Sequence, residues 1–344
     1  MGNIDENQLA EAIKSCWSGI VHLQQENENR RKELTAWIRS QEGLFNLIRC
    51  LDNMKYEWND PLEDKSSFYY PKFYEIEETI EHIVRDKSSL ARFGDGEFAM
   101  MLERGRCKFQ REDEKLARRL RGVISCEEEG LLIGISNQYG SLKKFSWTGV
   151  YAIRTYLTAE IRKEHRQFIN LERVYHDAFI TRPYVLYADN DTDAPGKRFR
   201  NLKRIWEGRD VVFVEGSLSR LGVGNDLFDN AASIQRIEAP PTNSFDRYDE
   251  ILEASLRFAQ KDSLFLVALG PSAEVLVYDL FHAGFQALDI GHLDLEYEWY
   301  LRGEQRNCPV PYKYNNELEG GDQVEDIYDE TYLGQIVYVC GSGS

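Results

Sequence analysis

Cysteine is scarce in this chain, long apolar runs are absent, and basic residues are in deficit. The six cysteines, Cys16, Cys50, Cys107, Cys126, Cys308 and Cys340, include no pair at the two-residue spacing of a zinc knuckle or dithiol motif, which leaves reduced thiols. Neither an N-terminal apolar segment nor an uninterrupted span of about 18 apolar residues occurs, so secretion and membrane spanning are not expected. The expected location is the cytoplasm, or the inner face of the membrane as a peripheral protein. Met1-Gly2 opens the chain as a myristoylation signal does, but Glu6 stands where Ser or Thr is required. With 42 Lys+Arg against 58 Asp+Glu the formal charge is −16, and a nucleic-acid backbone would be repelled over most of the surface. An anionic small substrate therefore needs local help from a divalent cation, a helix N-terminus or a few arginines.

What is present describes an ordinary water-soluble protein, 42% hydrophobic and 29% charged. At 344 residues it has room for one domain of catalytic size and an appendage. The most informative stretch is Arg92-Phe93-Gly94-Asp95-Gly96-Glu97, in which two carboxylates sit one residue apart between glycines. In an extended or turning backbone Asp95 and Glu97 project to the same side and suit one divalent cation. Gly94 and Gly96 allow a phosphate close to the main-chain N–H groups. A plain surface turn has the same composition.

Residues 9–51 carry a heptad pattern through Leu9, Ile13, Cys16, Ile20, Leu23, Leu34, Trp37, Leu44, Ile48 and Leu51, with Asn27 at a seam position. A coiled coil that makes a homo-oligomer and a helical hairpin packed on the chain's own body both satisfy it. Gly19 and Gly43 each cost about 1 kcal/mol in a helix interior and weigh against one unbroken rod.

From residue 68 helix and strand alternate. An amphipathic helix through Ile76, Ile80 and Ile83 precedes a strand at Leu90 to Phe93, which delivers the acidic loop at its carboxyl end. Further strands are predicted at Leu131 to Ile135, Val211 to Val214, Ile234 to Ile237, Leu264 to Leu269 and Ala287 to Ile290. Helices are predicted between them, including one long stretch from Thr148 to Phe168. The fold class is α/β, a Rossmann-like and largely parallel sheet with flanking helices, preceded by a helical or coiled-coil segment. The boundaries are 1–60 for the helical segment, 68–303 for the main domain and 304–344 for a peripheral acidic tail.

Two more loops follow strands. Leu269-Gly270-Pro271-Ser272 opens a helix whose N–H groups suit a phosphate or need only a cap. Gly291 to Trp299 alternates acid and apolar. Extended, it places His292, Asp294, Glu296 and Glu298 on one face; helical, it pairs His292 with Glu296 and Asp294 with Glu298.

Three blocks, Arg92 to Glu97, Val214 to Asn230 with Arg236-Ile237 and Pro240 to Asn243, and Leu269 to Trp299, together resemble the bacterial GT-D glycosyltransferases, a family first catalogued as a domain of unknown function. The likeness covers roughly residues 70 to 303, and Ser272 stands where the family often has Thr. It implies a Rossmann-like fold distinct from the two common glycosyltransferase architectures, a UDP-sugar donor, and a divalent metal, Mn2+ or Mg2+, at an Asp-x-Glu motif that Asp95 and Glu97 match.

Glycosyl transfer then assigns roles. The metal, helped by Arg92 or Arg220, neutralises the leaving diphosphate. Gly94, Gly96, Gly270 and Ser272 give close backbone approach, with Asn225 and Asn243 as hydrogen-bond partners of the donor. Asp294, Glu298, His292 and Asp226 are the candidates for the base that takes the acceptor's proton. The acceptor that the family suggests is a surface glycan or an adhesin glycoprotein. A metal-dependent phosphohydrolase acting on nucleotides and a non-catalytic nucleotide-binding assembly subunit are the rival classes.

Overall fold

The computed structural model describes residues 42–57, 68–104, 109–315 and 317–341, together with Ser18. The chain divides into two units, Met1–Met54 and Lys55–Ser344. In the first, residues 42–53 are helical (α1), with Leu44, Phe45, Leu47, Ile48 and Leu51 exposed. The rest of the heptad pattern, and with it the coiled-coil expectation, lies outside the described residues apart from Ser18.

The second unit is built on a nine-stranded sheet in the order β1-β4-β3-β2-β8-β7-β5-β6-β9. Its strands are Lys72–Phe73 (β1), Ser89–Phe93 (β2), Leu131–Ile135 (β3), Val174–Asp177 (β4), Asp210–Gly216 (β5), Ser233–Ala239 (β6), Leu264–Ala268 (β7), Gln286–Asp289 (β8) and Ile336–Val339 (β9). Every pairing is parallel, as the strand-helix alternation predicts. The two-residue period of each strand divides its side chains between two cores. Ala91, Phe93, Val212, Val214, Phe265 and Val267 enter one, while Leu90, Val211, Phe213, Leu264 and Leu266 enter the other. Burial on both faces explains why β5 and β7 are continuous apolar runs.

Helices Asp95–Met101 (α3), Glu114–Ile124 (α4), Tyr248–Phe258 (α8) and Ala273–His282 (α9) fill the first core. Ile76–Arg85 (α2), Ala194–Lys203 (α7) and Leu293–Arg302 (α10) fill the second. The neighbouring strands β2 and β8, paired at Leu90 and Leu288, therefore send their chains to opposite faces, β2 into α3 and β8 into α10. A crevice must open between the two exits, the switch point at which ligands of open α/β sheets bind.

The predicted helix Thr148 to Phe168 is two helices, Trp147–Tyr156 (α5) and Ala159–His165 (α6). The Thr158 hydroxyl caps the second by accepting from the Ile161 N–H, so the chain turns at 157–158. The stretch after Arg302 is not a peripheral tail. Val310 and Lys313 are buried, and after the short helix Glu330–Gln335 (α11) β9 pairs along β6 and ends the sheet. Composition misled here because Glu319, Asp322, Glu325, Asp326 and Glu330 are exposed while the apolar strand comes later. Among the described residues no helix is long and apolar enough to cross a membrane.

Candidate active site

The Asp95/Glu97 loop is the start of a helix. Gly94 is extended at φ −106° and ψ −165°, and α3 begins at Asp95. Residues two apart on a helix lie about 200° apart, so the same-side argument for extended backbone does not describe them. Glu97 instead folds back to accept the Gly94 N–H at 2.8 Å, as a capping glutamate does. Both carboxylates nevertheless face a cavity of about 630 Å³ at the carboxyl ends of the strands, a size that suits a small-molecule substrate.

The cavity floor gathers carboxyl groups. Burial pushes the Glu97 carboxyl up to about 7, against the stabilising Gly94 N–H bond and with the charges of Asp289 and Asp95 adding to the rise. Glu274, the second residue of α9, is held well above the carboxylate range by burial and by the Glu97 and Asp289 charges. It is 2% exposed, and its Oε2 has no hydrogen-bond partner. Arg92 answers this charge in part. Its Nη2 lies 2.7 Å from Asp289 Oδ2, and its Nε donates to the Asp289 carbonyl at 2.9 Å.

The carboxyl groups of Asp95, Glu97, Glu274 and Asp289 on one wall, with the Glu274 Oε2 unsatisfied, offer the oxygen donors that a hard divalent cation takes. Among the described residues no three acid, His or Cys side chains converge as a ready-made cage. Asp95 and Glu97 are the carboxylates at the start of α3 that would hold such a cation, and it would supply positive charge to an anionic ligand in the cavity.

The other expected residues divide. Gly96, Gly270, His292 and Asp294 line the cavity with Arg92 and Gly94. Gly270 has φ +54°, and a Cβ there would stand 3.1 Å from Phe109, so glycine is favoured. Ser272 lies behind the wall, its hydroxyl accepting from Ser244, which does line the cavity. Asn243 is left-handed at φ 55° and its side-chain oxygen accepts the Arg111 N–H at 2.8 Å. It shapes a loop and is not on the cavity wall.

Asn225, Asp226, Glu298 and Arg220 do not line the cavity either. Asn225 donates to Asp294 at 2.8 Å and to Glu298 at 2.9 Å. Lys313, whose side chain is fully buried, lies between the same two acids, and Arg302 donates to Glu298 at 3.1 Å. The helical form of 292–299 is thus the observed one, and its Asp294/Glu298 stack is a buried ion-pair network. Asp226 accepts from Tyr297 at 2.7 Å and from Lys203 at 2.8 Å on an outer surface. Those bonds, Lys203 first, hold its carboxyl below the usual range. Arg220 donates to the carbonyls of Tyr312 and Glu325 and ties down the C-terminal stretch.

Some wall residues went unforeseen. Glu274 is a lone acid in an apolar helix start, a visible signal; Asp289 lies inside the strand predicted at Ala287 to Ile290 and is the last residue of β8. Arg182 follows β4, whose sequence Val174-Tyr175-His176-Asp177 carries no strand pattern. Burial lowers the Arg182 pKa, but the charges of Glu317, Glu296 and Asp95 outweigh it, and the net direction is up.

A family model described as glycosyltransferase GT-D fold matches residues 90–318. Over 265 residues the chain is 36% identical to a probable glycosyl transferase Gly of Streptococcus gordonii, covering 76% of this chain and 38% of that protein. Over 263 residues it is 36% identical to glycosyltransferase GlyD of Streptococcus pneumoniae serotype 4, covering 76% and 32%. The chain thus spans 38% and 32% of the length of these two curated relatives. A solved structure of domain of unknown function 1792, described as having a distinct glycosyltransferase fold, superposes with TM-score 0.74 at 35% identity, over 80% of this chain and 97% of that one. Another, described as a new glycosyltransferase from Streptococcus sanguinis, gives 0.73 at 33% identity, over 78% and 99%. An acidic loop opening a helix at the switch-point cavity and a family match over most of the sheet lead to one assignment: the chain belongs to the glycosyltransferase GT-D fold family.

Proposed function

We propose that this protein is a metal-dependent glycosyltransferase that moves a hexose from a UDP-sugar to a glycan or glycoprotein acceptor. The observation that carries this reading is the placement of Asp95 and Glu97 on the wall of the switch-point cavity. Asp95 and Glu97 hold the divalent cation. When bound, it supplies positive charge to the departing diphosphate. Gly94, Gly96 and Gly270 bring backbone close to the donor, and Ser244 stands in the place first given to Ser272. Of the base candidates, His292 and Asp294 are on the wall; Asp294 is built into the buried network with Asn225 and Lys313, and His292, 3.6 Å from Glu317, takes the acceptor's proton in this reading.

The test is UDP release from a panel of nucleotide sugars, with Mn2+ and then with EDTA. The expected result is slow metal-dependent UDP formation that Asp95→Asn and Glu97→Gln abolish while thermal unfolding stays cooperative. Unchanged turnover in both variants would remove the site, and release of inorganic phosphate without sugar transfer would favour a phosphohydrolase.

A further inference from the structure

Among the described residues the basic side chains on the cavity wall are Arg92, Arg182 and His292. Arg92 is committed to Asp289, in a pair whose side chains are only 14% and 6% exposed. Arg182 and His292 both meet Glu317. The Glu317 carboxylate accepts from both Nη atoms of Arg182 and lies 3.6 Å from His292 Nε2. This is the two-pronged geometry by which a guanidinium takes a phosphate. The pair is more open than Arg92 with Asp289, at 23% for Arg182 and 35% for Glu317. Glu317 belongs to the C-terminal stretch that borders the cavity, where Asn307 Nδ2 donates to its Oε2 at 2.7 Å and the Tyr314 N–H donates to the Leu218 carbonyl at 2.9 Å.

We propose that Arg182 takes the diphosphate of the donor, and that Glu317 occupies the guanidinium beforehand as an internal anion which the diphosphate displaces. This rests on the nucleotide-sugar reading above. The cavity explains why such a placeholder is useful. With Asp95, Glu97, Glu274 and Asp289 on the same cavity wall, and the Asp95 charge felt at Arg182, an Arg182 without a fixed partner would be drawn toward acid, whereas Glu317 holds its fork in place. A diphosphate carries more charge than a carboxylate and replaces it at the same two donors. Affinity is then reduced by the fraction of molecules in which Glu317 holds the site.

Glu317→Gln removes the competing charge, while its amide oxygen still accepts from Asn307. UDP should bind roughly fivefold to tenfold tighter in this variant, within the usual range of such couplings. Arg182→Gln should weaken UDP by at least the same factor, and Arg182→Lys, which keeps the charge but loses the fork, should also weaken it. Were Glu317 only a clamp that orients Arg182, Glu317→Gln would weaken binding, the opposite sign.

The experiment is calorimetric titration of UDP, at fixed Mn2+, into the full chain and the three variants, with thermal unfolding of each as a check on folding. Tighter binding by Glu317→Gln with weaker binding by the Arg182 variants supports the proposal, as does binding by Glu317→Gln alone. Equal or weaker binding by Glu317→Gln, with the parent chain binding UDP normally, overturns the displacement and leaves the donor reading intact. No UDP binding by the parent chain or by Glu317→Gln overturns both.

Discussion

Gly291 makes the space that the Arg92 guanidinium occupies. Its φ is +43°, and a Cβ at this position would stand 2.2 Å from Arg92 Nη2. Arg92 donates across the sheet to the Asp289 carbonyl and to the Ala178 carbonyl at 3.3 Å, joining the carboxyl ends of β2, β4 and β8. Gly291→Ala should therefore push Arg92 off Asp289 as well as strain the backbone. We expect turnover to fall roughly 100-fold, the order of loss that follows a misplacement of about 1 Å at a reacting centre. Stability should drop by about 1 kcal/mol from the left-handed φ alone. Steady-state UDP release and urea unfolding check the two effects, and wild-type kinetics would detach Arg92 from the chemistry.

Lys313 tests whether Asp294 and Glu298 are structural. Its ammonium lies 3.2 Å from Glu298 Oε1 and also donates to Asp294, and none of the three side chains is more than 4% exposed. Removing one partner from a buried ion pair leaves charge without compensation. Lys313→Met should cost about 3–5 kcal/mol, and adding Asp294→Asn and Glu298→Gln should recover part of that loss. Denaturant midpoints of the single and triple variants decide it. If the single variant keeps the parent midpoint, the network is not holding α10.

The same network shows where sequence reading reached its end. Strands β5 and β7 were legible because burial on both faces demands unbroken apolar runs, β2 and β8 because short apolar stretches stand between predicted helices, and the acidic loop was legible because it directly follows β2. Strands β1 and β4 were not, being two and four residues long with polar members such as Lys72 and His176. Asp294 and Glu298 looked like catalytic acids because spacing reports which side chains share a face, not what meets that face. Their partner Lys313 arrives from a stretch whose composition suggested a tail. Arg220 was misassigned for a similar reason: its acceptors are main-chain carbonyls at Tyr312 and Glu325, to which composition and spacing give no access.

Glu296 supplies a pH signature away from the acidic loop. It is 1% exposed and accepts the Tyr184 and Val185 N–H groups, each at 3.0 Å. Burial pushes its carboxyl up to about 7, against the opposing pull of Arg182 and those two bonds, with the Glu317 charge adding to the rise. The unfolded chain has the ordinary carboxylate value, so between pH 4.5 and about 7 the native state binds more protons than the unfolded state. The contribution of this group to stability is therefore fully present below pH 4.5 and is lost as pH rises through about 7. Gln at this position keeps one oxygen for both N–H groups and cannot ionise. Glu296→Gln should match the parent near pH 4.5 and exceed it above pH 7, by on the order of 3 kcal/mol. Urea unfolding across that range reads the difference, and parallel stability curves for parent and variant would mean that Glu296 is ionised in the folded protein throughout.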